Sequence, residues 1–527
     1  MPIKKESVST SAAEHGSRTA KMATFIFTSK LYSFLVSGLA FVVVARILGS
    51  TNYGIYTLAL GSIGLFGALG DLGISTSVVK FIAANLQNKK RLRIIIVNTF
   101  AIVMVATAIP SLLGIIFSSY IAQFSLHNIA YTGVLQLAAL TILFGALWSV
   151  AYSSLLALGK GKSLMKNVAV QVTIQAAVSA GLALAGFGAY APIIGFLCGL
   201  LFGFVTSARS VINETGIGFR DFNISVEECK RLLKFTIPMG LSGTLLGLTS
   251  AFAIIVLGHY STSVVLGSYG VATKISGMFD VVIGTIGSAL LPLFSSTFAN
   301  KKSKGDLNKY YNYALYFSLI FTIPMVAYLI ILAKPLAYSV FGNSYTYAPL
   351  YLVVAAASLV LYVLQSYTNG LLVGSNNTMK VAKYNILSAL VLLGLIPILL
   401  PTLNGLGLML ITLIIVPFVF TVLAINYSIK NLGIKLETRM LMRIIVAGII
   451  SALFLLPLIY FIVNYVLLLI VAVVEQLIVY PIVIALVGAA DKERIEKLRN
   501  ATKTIPLVNI VIYLLVRYMD LFIPHSS

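Results

Sequence analysis

Fourteen long apolar runs follow one another along this chain, and they constrain its fold more than any other feature of the sequence. A helix needs about 20 apolar residues to cross the hydrocarbon core of a bilayer. Hydrophobic residues make up 59% of the chain and charged residues only 10%, with a mean hydropathy of +1.00. This composition excludes a soluble globular protein and predicts an all-α integral membrane protein. The runs lie at residues 24–45, 54–76, 94–117, 129–157, 167–187, 190–208, 236–258, 264–297, 311–333, 347–373, 384–402, 405–429, 444–464 and 466–488.

The basic residues of the chain lie mostly in the connections between these runs. The formal net charge is +22, from 37 Lys and Arg against 15 Asp and Glu. With a cytoplasmic N-terminus, one side of the membrane holds 33 of these cations and the other holds only Arg46 and Lys334. Lys30 and Lys274 lie inside runs and complete the count. This asymmetry follows the positive-inside rule, so it predicts both termini in the cytoplasm and explains the basic composition without nucleic acid.

Cysteine and histidine usage indicates neither a disulfide framework nor a metal centre. Cys198 lies in an apolar run, Cys229 lies in a polar loop, and the four histidines are scattered. We therefore expect no cofactor, although coupling to H⁺ or Na⁺ stays open. The first run ends without a small-residue cleavage site, which predicts a retained helix instead of a signal peptide.

Short glycine motifs recur at a nearly constant offset and indicate an internal repeat. Residues 54–56 (Gly-Ile-Tyr) match 267–269 (Gly-Ser-Tyr) at an offset of 213, and residues 155–159 resemble 371–374 with their glycines 215 apart. Six runs separate equivalent points, and because six is even the two halves have the same orientation. Repeats of this kind are found in transporters that open alternately to each side of the membrane.

The repeat and the loops together predict the organisation of the chain. Within the longest internal loop, Ser225-Val-Glu-Glu228 fits a capping box that opens a helix. The predicted parts are a cytoplasmic tail (1–22), an N-lobe of six spans (23–210), a linker with an amphipathic helix (211–235), a C-lobe of six spans (236–430), two extra spans (443–488) and a cytoplasmic tail with an interfacial helix (489–527).

Several motifs at the starts of the two halves carry a resemblance to a known family. They are Arg46-x-Leu48-Gly49, Tyr53-Gly54-x-Tyr56, Asp71-Leu72-Gly73, Leu232-Leu233-Lys234-Phe235 with Pro238, Leu257-Gly258, Gly267-x-Tyr269 and Leu290-Leu291-Pro292. With these motifs, residues 20–490 resemble the polysaccharide-biosynthesis (Wzx-type) flippases. Their superfamily also contains the multidrug and toxic-compound extruders and the lipid II flippases.

The resemblance implies two six-helix lobes in a V-shaped bundle around a central cavity, with two extra C-terminal helices. It implies movement of an oligosaccharide linked to polyprenyl phosphate or pyrophosphate from the cytoplasmic to the outer leaflet of a prokaryotic plasma membrane; we favour an archaeal host. Relatives often carry an acid in span seven, but residues 249–253 contain none here. A coupling role for that acid cannot be transferred to this chain.

Two lysines inside the spans are the predicted contacts to the substrate's phosphate. Lys274 lies about ten residues into span eight, roughly 15 Å from its outer end and near the membrane midplane. A lysine in a wet cavity binds phosphate as a point charge, whereas the alternative is a structural pair with a carboxylate on a neighbouring helix. Lys30 lies about six residues into span one, with Ser33 and Ser37 on the same helix face. Lys30 could instead snorkel to cytoplasmic headgroups.

Two acids lie near the cytoplasmic ends of corresponding spans in the two halves. Asp71 and Asp280 could bind a proton or Na⁺, or gate the inner opening. The alternative is a structural salt bridge to Lys30, Lys80 or Lys274. Acids within spans are costly and are therefore candidates for function.

Other polar groups inside the spans have several possible roles. Glu475 lies in the middle of the last run, where it could line a groove for a lipid tail, pair with another helix or titrate. Gln171 and Gln175 in span five, and Gln365 and Asn369 in span ten, could contact the glycan. Hydrogen bonding between helices is an equal alternative for all four.

We therefore predict a lipid-linked oligosaccharide flippase that works by alternating access. The competing prediction is a cation-coupled multidrug exporter of the same architecture, which would favour acids and aromatic residues over Lys274 at its binding site. An integral-membrane enzyme is disfavoured because the acids form no catalytic constellation. The expected partners are the lipid-linked oligosaccharide, membrane lipids and glycan-assembly enzymes, with a monomer as the default state.

Overall fold

The computed structural model describes residues 6–71, 74–218, 224–279, 294 and 304–489, and these residues are helical nearly throughout, with no β-strand among them. The predicted all-α class is confirmed. The helices are α1 (Glu6–Asp71), α2 (Ile74–Ala84), α3 (Lys89–Leu126), α4 (Thr132–Ala157), α5 (Gly161–Leu184), α6 (Tyr190–Thr215), α7 (Val226–Tyr260), α8 (263–279), α9 (Lys304–Ile331), α10 (Ala333–Phe341), α11 (Ala348–Gly374), α12 (Thr378–Met409), α13 (Val416–Leu432), α14 (Thr438–Phe461) and α15 (Tyr465–Leu486). A π-helical turn, Leu410–Ile415, joins α12 to α13.

Ten helices in the described part of the chain are long and apolar enough to cross a membrane. Two of these contain a backbone break, at Gly49 in α1 (φ 66°, ψ 174°) and at Asn404 before the end of α12 (φ 49°, ψ −128°). Positive φ favours glycine and is tolerated by asparagine. Each break falls between two predicted runs, and α7 and α8 cover the seventh run and part of the eighth. The described residues are therefore compatible with fourteen spans.

The chain divides into two compact units, Met1–Gly267 and Ser268–Ser527. The first contains α1 to α7 and the start of α8, and the second contains the rest of α8 and all later helices. Helix α1 begins at Glu6, so helical structure extends into the predicted N-terminal tail. The predicted C-terminal interfacial helix lies outside the described residues.

Two glycines of the repeat motif lie at one tight helix crossing in the first unit. A Cβ atom at Gly54 would overlap the backbone carbonyl of Ser263, and one at Gly267 would overlap that of Ser50. The two serines, like the two glycines, are 213 positions apart, so the contacts are reciprocal. Two equivalent segments related by a local two-fold axis make contacts of this kind. The crossing is therefore compatible with the predicted repeat.

The start of α7 confirms half of the predicted capping box. The Ser225 side chain accepts a hydrogen bond from the Glu228 backbone N–H at 3.4 Å. The Ser225 N–H, which Glu228 would accept in a complete box, instead donates to Oδ1 of Asn98 on α3 at 2.8 Å. The Glu228 carboxylate is thereby free to pair with Arg91, at 2.7 Å. These contacts join the polar end of α7 to α3.

The core of the second unit contains a series of buried tyrosines whose hydroxyls have partners. Tyr311 on α9 shares a hydrogen bond with Thr368 on α11 at 2.7 Å, and Ser318 shares one with Tyr367. The Tyr316 hydroxyl donates to the Ala489 carbonyl at 2.9 Å. Because buried hydroxyls without partners are costly, these bonds fix the register of α9 against α11 and the end of α15.

Candidate functional site

Lys274 projects from an open face of α8. It lies eleven positions after residue 263, the first residue of α8, which is about 16 Å along the helix axis. Its side chain is exposed. One turn further on, a Cβ atom at Gly277 would meet no atom of the described residues within 4 Å. Ala272 and Ser276, which lie on the opposite face, are buried. Lys274 forms no ion pair with a residue that the structure describes.

Lys30, on the part of α1 before the break at Gly49, is the other exposed lysine that the sequence predicted. Its side chain is exposed, whereas Ser33 and Ser37 on the same predicted face are half-buried. Close by, the Tyr32 hydroxyl shares a 2.7 Å hydrogen bond with Thr173 of α5. Within the described ranges, no carboxylate pairs with Lys30. Lys30 is therefore a second available cation, located where α1 packs against α5.

Gln171 and Gln175 lie on α5 against a stripe of glycines on α6. The Gln171 side chain is buried and donates through Nε2 to Oε1 of Gln175 at 3.0 Å. A Cβ atom at Gly199 would lie 2.7 Å from Cβ of Gln175, and one at Gly203 would lie 2.8 Å from Cβ of Gln171. The glutamine stems occupy the space that the missing side chains leave. This geometry favours the alternative of helix packing over contact with a glycan.

Gln365 and Asn369 lie one turn apart on α11, away from its most buried face. Asn369 is exposed and Gln365 is half-buried. Their neighbours Tyr367 and Thr368 are completely buried and form the hydrogen bonds to α9 described above. Of the predicted glycan contacts, these two therefore have the more accessible side chains.

Of the three acidic candidates, only Glu475 has a side chain that the structure describes. Asp71 is the last residue of α1, but its side chain is not among those described, and Asp280 lies outside the described residues. Glu475 lies midway along α15 and is half-buried. Its Oε2 accepts a hydrogen bond from Nε2 of Gln476 at 3.2 Å. Oε1 is buried and has no hydrogen-bond partner in the described part of the chain.

Trp148 on α4 is a polar group that the sequence analysis did not single out. Its Nε1 is buried and has no acceptor among the described residues. Its ring lies 5.7 Å from that of Tyr152, and its Cδ1 lies 2.9 Å from the position of a Cβ atom at Gly203. The only signal in the sequence is that Trp148 is the single tryptophan of the chain.

An all-helical chain with many spans and exposed cations inside them is a polytopic membrane protein of the transporter type. Its fold is similar to that of the lipid II flippase MurJ in an inward closed conformation, with 16% identity, 88% of this chain and 98% of that chain covered, and a TM-score of 0.70. It is also similar to an inward-facing multidrug resistance MATE family transporter of the MOP superfamily, with 16% identity, 76% and 94% covered, and a TM-score of 0.64. A MOP superfamily transporter from Pyrococcus furiosus aligns with 16% identity, 79% and 96% covered, and a TM-score of 0.55.

Residues 43–349, more than half of the chain, match the family described as polysaccharide biosynthesis protein, and the chain belongs to this family. No match is found among curated proteins. The family match confirms the resemblance that the motifs around Arg46 and Tyr53 carry, and the solved structures establish the MurJ- and MATE-like fold. The protein is therefore a multi-pass membrane flippase or transporter.

Proposed function

We propose that this protein is a flippase that moves an oligosaccharide linked to polyprenyl phosphate or pyrophosphate from the cytoplasmic to the outer leaflet. Membership of a polysaccharide biosynthesis family and a fold similar to that of a lipid II flippase support this proposal. The observation that carries it is Lys274, an exposed cation within a span that has no carboxylate partner among the described residues. An ammonium group in that position is expensive unless water or an anionic ligand reaches it.

The chemistry of such a substrate explains the arrangement of the polar groups. The phosphate head and the glycan need a wet path, whereas the polyprenyl tail can stay in the lipid. Lys274 binds the phosphate as a point charge. Lys30, in the first unit, is a separate candidate cation. Gln365 and Asn369, on the accessible face of α11, donate and accept hydrogen bonds to sugar hydroxyls. Alternating access then moves the bound head across the membrane.

A cation-coupled multidrug exporter is the second candidate, because the fold is also similar to that of a multidrug resistance MATE family transporter. An exporter of cationic compounds requires acidic or aromatic groups at its site. Lys274, which pairs with no carboxylate of the described residues, would repel such a compound, since like charges in a membrane environment interact strongly. The flippase therefore fits the charge of the site better.

The test is complementation of a strain that lacks this protein and any paralogue. Wild type, Lys274→Gln, Lys274→Arg and the control Lys334→Gln are compared at equal expression, and the glycan on the outer leaflet is measured with a membrane-impermeant glycosidase. Lys334 is an exposed cation on the short helix α10 and was not predicted to contact the substrate. We expect trapping of the glycan inside for the deletion and for Lys274→Gln, and rescue by Lys334→Gln. Arginine keeps the charge and should rescue in part.

Two results would separate the parts of the proposal. Full rescue by Lys274→Gln would remove Lys274 from the binding site but leave the flippase standing. Normal outer-leaflet glycan in the deletion strain would overturn the flippase. Resistance to cationic dyes that depends on the protein would then favour the exporter.

A further inference from the structure

Glu475 is an acid in an apolar part of the second unit. It is the single carboxylate in residues 438–490, which contain both α14 and α15. Ala472 and Leu468, one and two turns earlier on α15, are completely or almost completely buried and belong to an apolar cluster. Glu475 thus lies where a spanning helix packs against its neighbours.

The hydrogen bonds around Glu475 can support only one of its two oxygens. Nε2 of Gln476 donates to Oε2 of Glu475 at 3.2 Å and to the Ser451 carbonyl of α14 at 3.3 Å. The Ser451 hydroxyl lies 3.5 Å from Oε1 of Gln476 and donates to the Gly448 carbonyl at 2.9 Å. This chain of contacts ends at Glu475, because its buried Oε1 has no partner in the described residues.

No cation of α14 or α15 compensates the carboxyl. Arg443 on α14 donates instead to the Gly488 carbonyl at 2.8 Å, and it lies eight residues before Ser451, or about 12 Å along the helix. The Tyr480 hydroxyl, on the same helix as Glu475, is buried and has no partner among the described residues.

Helices α9 and α10, which also pack against α15, supply no compensating charge either. The hydroxyls of Tyr316 and Tyr328 on α9 donate to the carbonyls of Ala489 and Leu469, on either side of Glu475 along the chain. Lys334 on α10 is exposed and forms no ion pair with a described residue.

An ionised carboxylate offers about four acceptor positions, and here it would face one long hydrogen bond from a neutral amide. Burying an unpaired charge costs far more free energy than burying a neutral polar group with one unmade hydrogen bond. We propose that Glu475 is a proton-binding site within the α14–α15 pair, and that its carboxyl is a site of modification by membrane-permeant carbodiimides.

The test uses the reaction of a protonated carboxyl with N,N′-dicyclohexylcarbodiimide. The acid adds across one C=N bond: its oxygen bonds to the central carbon and its proton moves to a nitrogen. The resulting O-acylisourea rearranges to a stable N-acylurea that carries the mass of one carbodiimide. The full chain in lipid nanodiscs is treated at several pH values, and peptides are analysed by mass spectrometry. A water-soluble carbodiimide serves as the comparison reagent.

We expect the peptide that contains Glu475 to be modified at pH 7 by the apolar reagent only, and Glu475→Gln to remove this modification. The exposed Glu227 of α7 is the internal control. Absence of modification at Glu475 between about pH 5 and pH 7, in protein that remains folded, would overturn the proposal.

A stability measurement gives an independent result. Glutamine is a neutral isostere of the protonated acid, so Glu475→Gln should leave the unfolding temperature close to that of the wild type. A clear decrease in the unfolding temperature would indicate a structural, ionised carboxylate and would overturn the proposal. Neither readout measures transport, so each can fail independently of the proposed flippase function. The same site would supply H⁺ coupling to the flippase; this last consequence rests on the proposed flippase function.

Discussion

A buried and a half-buried glutamate in this protein have different surroundings. Glu228, at the polar start of α7, has a side chain only 7% exposed, yet Arg91 lies 2.7 Å from Oε2 and Arg231 lies 3.9 Å from Oε1. Glu475, in the middle of α15, receives one hydrogen bond from a neutral amide and no described cation pairs with it. Burial alone therefore does not define the role of an acid in this fold. The available donors distinguish a structural ion pair from a proton-binding group.

The difference follows from position along the spans. At the polar end of α3 and α7, arginine side chains extend along the helix surface while their charged groups stay near water. In the middle of a span such a partner would itself need a counter-charge. A buried acid near a helix end can thus be paired at low cost, whereas one at mid-span is most cheaply kept neutral.

The largest loss of stability that we expect comes from a steric substitution, with which the charge substitutions below can be compared. Gly267→Ala places a methyl group against the Ser50 backbone carbonyl, which cannot rotate away. Overpacking of this kind costs about 1–3 kcal/mol, and the rigid neighbour favours the upper end. The matched control on the same helix is Gly277→Ala, whose methyl group meets no atom of the described residues within 4 Å. Thermal unfolding in detergent should show a clear loss for the first variant only; equal stability of both would contradict the tight crossing.

Removal of Arg91 tests the paired acid. Arg91→Ala leaves Glu228 buried with only the more distant Arg231. Breaking a fully buried pair costs about 3–5 kcal/mol; the Arg91 side chain is 35% exposed, and water can therefore compensate part of this loss. We expect a decrease of about 2 kcal/mol in unfolding free energy, measured by denaturation in detergent. A change below about 0.5 kcal/mol, as expected for the exposed control Lys334→Ala, would show that the pair is not structural.

The same glutamine substitution at both acids tests the comparison itself. Glu228→Gln removes the charge that Arg91 contacts, and loss of a charged hydrogen bond costs about 1–2 kcal/mol. At Glu475 the substitution replaces a neutral acid by a neutral amide, with little cost. Thermal unfolding of the two variants under one condition provides the measurement. Equal losses of stability at both positions would contradict the difference between a paired Glu228 and a protonated Glu475.

The smallest effect concerns the thiol next to the paired acid. Burial, and then the charge of Glu228, raise the pKa of Cys229. Less thiolate is therefore present at neutral pH than for a free cysteine, since the thiolate is the reactive form. In a Cys198→Ser background, alkylation of Cys229 by iodoacetamide should be slower than that of a free cysteine and should keep increasing to higher pH. A pH profile that matches free cysteine would contradict the assigned surroundings.

The helical class, the breaks between spans and the family follow from the sequence, because apolar length and turn-forming residues are local signals. The predicted boundary between the first two spans coincides with the break at Gly49, and Ser225 caps α7 as predicted. That Gly54 and Gly267 face the reciprocal serines could not be predicted, since spacing along the chain does not specify which helices cross.

The candidate site shows the same limit. Lys274 and Lys30 stand out in the sequence because charges are rare inside spans. The burial of Gln171 against the α6 glycines, and the exposure of Asn369, depend on the rotation of each helix about its axis. The sequence left that rotation open because α5 has polar groups on more than one face. Hydrogen-bond partners such as Asn98, far from Ser225 in the chain, are likewise visible only in the fold.

The most direct test of the central claim is flipping by the purified protein in vesicles. A polyprenyl pyrophosphate that carries one fluorescent sugar is incorporated into both leaflets, and an impermeant quencher reports the outer pool. With wild-type protein we predict that the inner pool becomes accessible, and that Lys274→Gln slows this transfer while Lys334→Gln does not. An inner pool that stays protected, in vesicles whose protein transports a cationic dye, would contradict the flippase and favour the exporter.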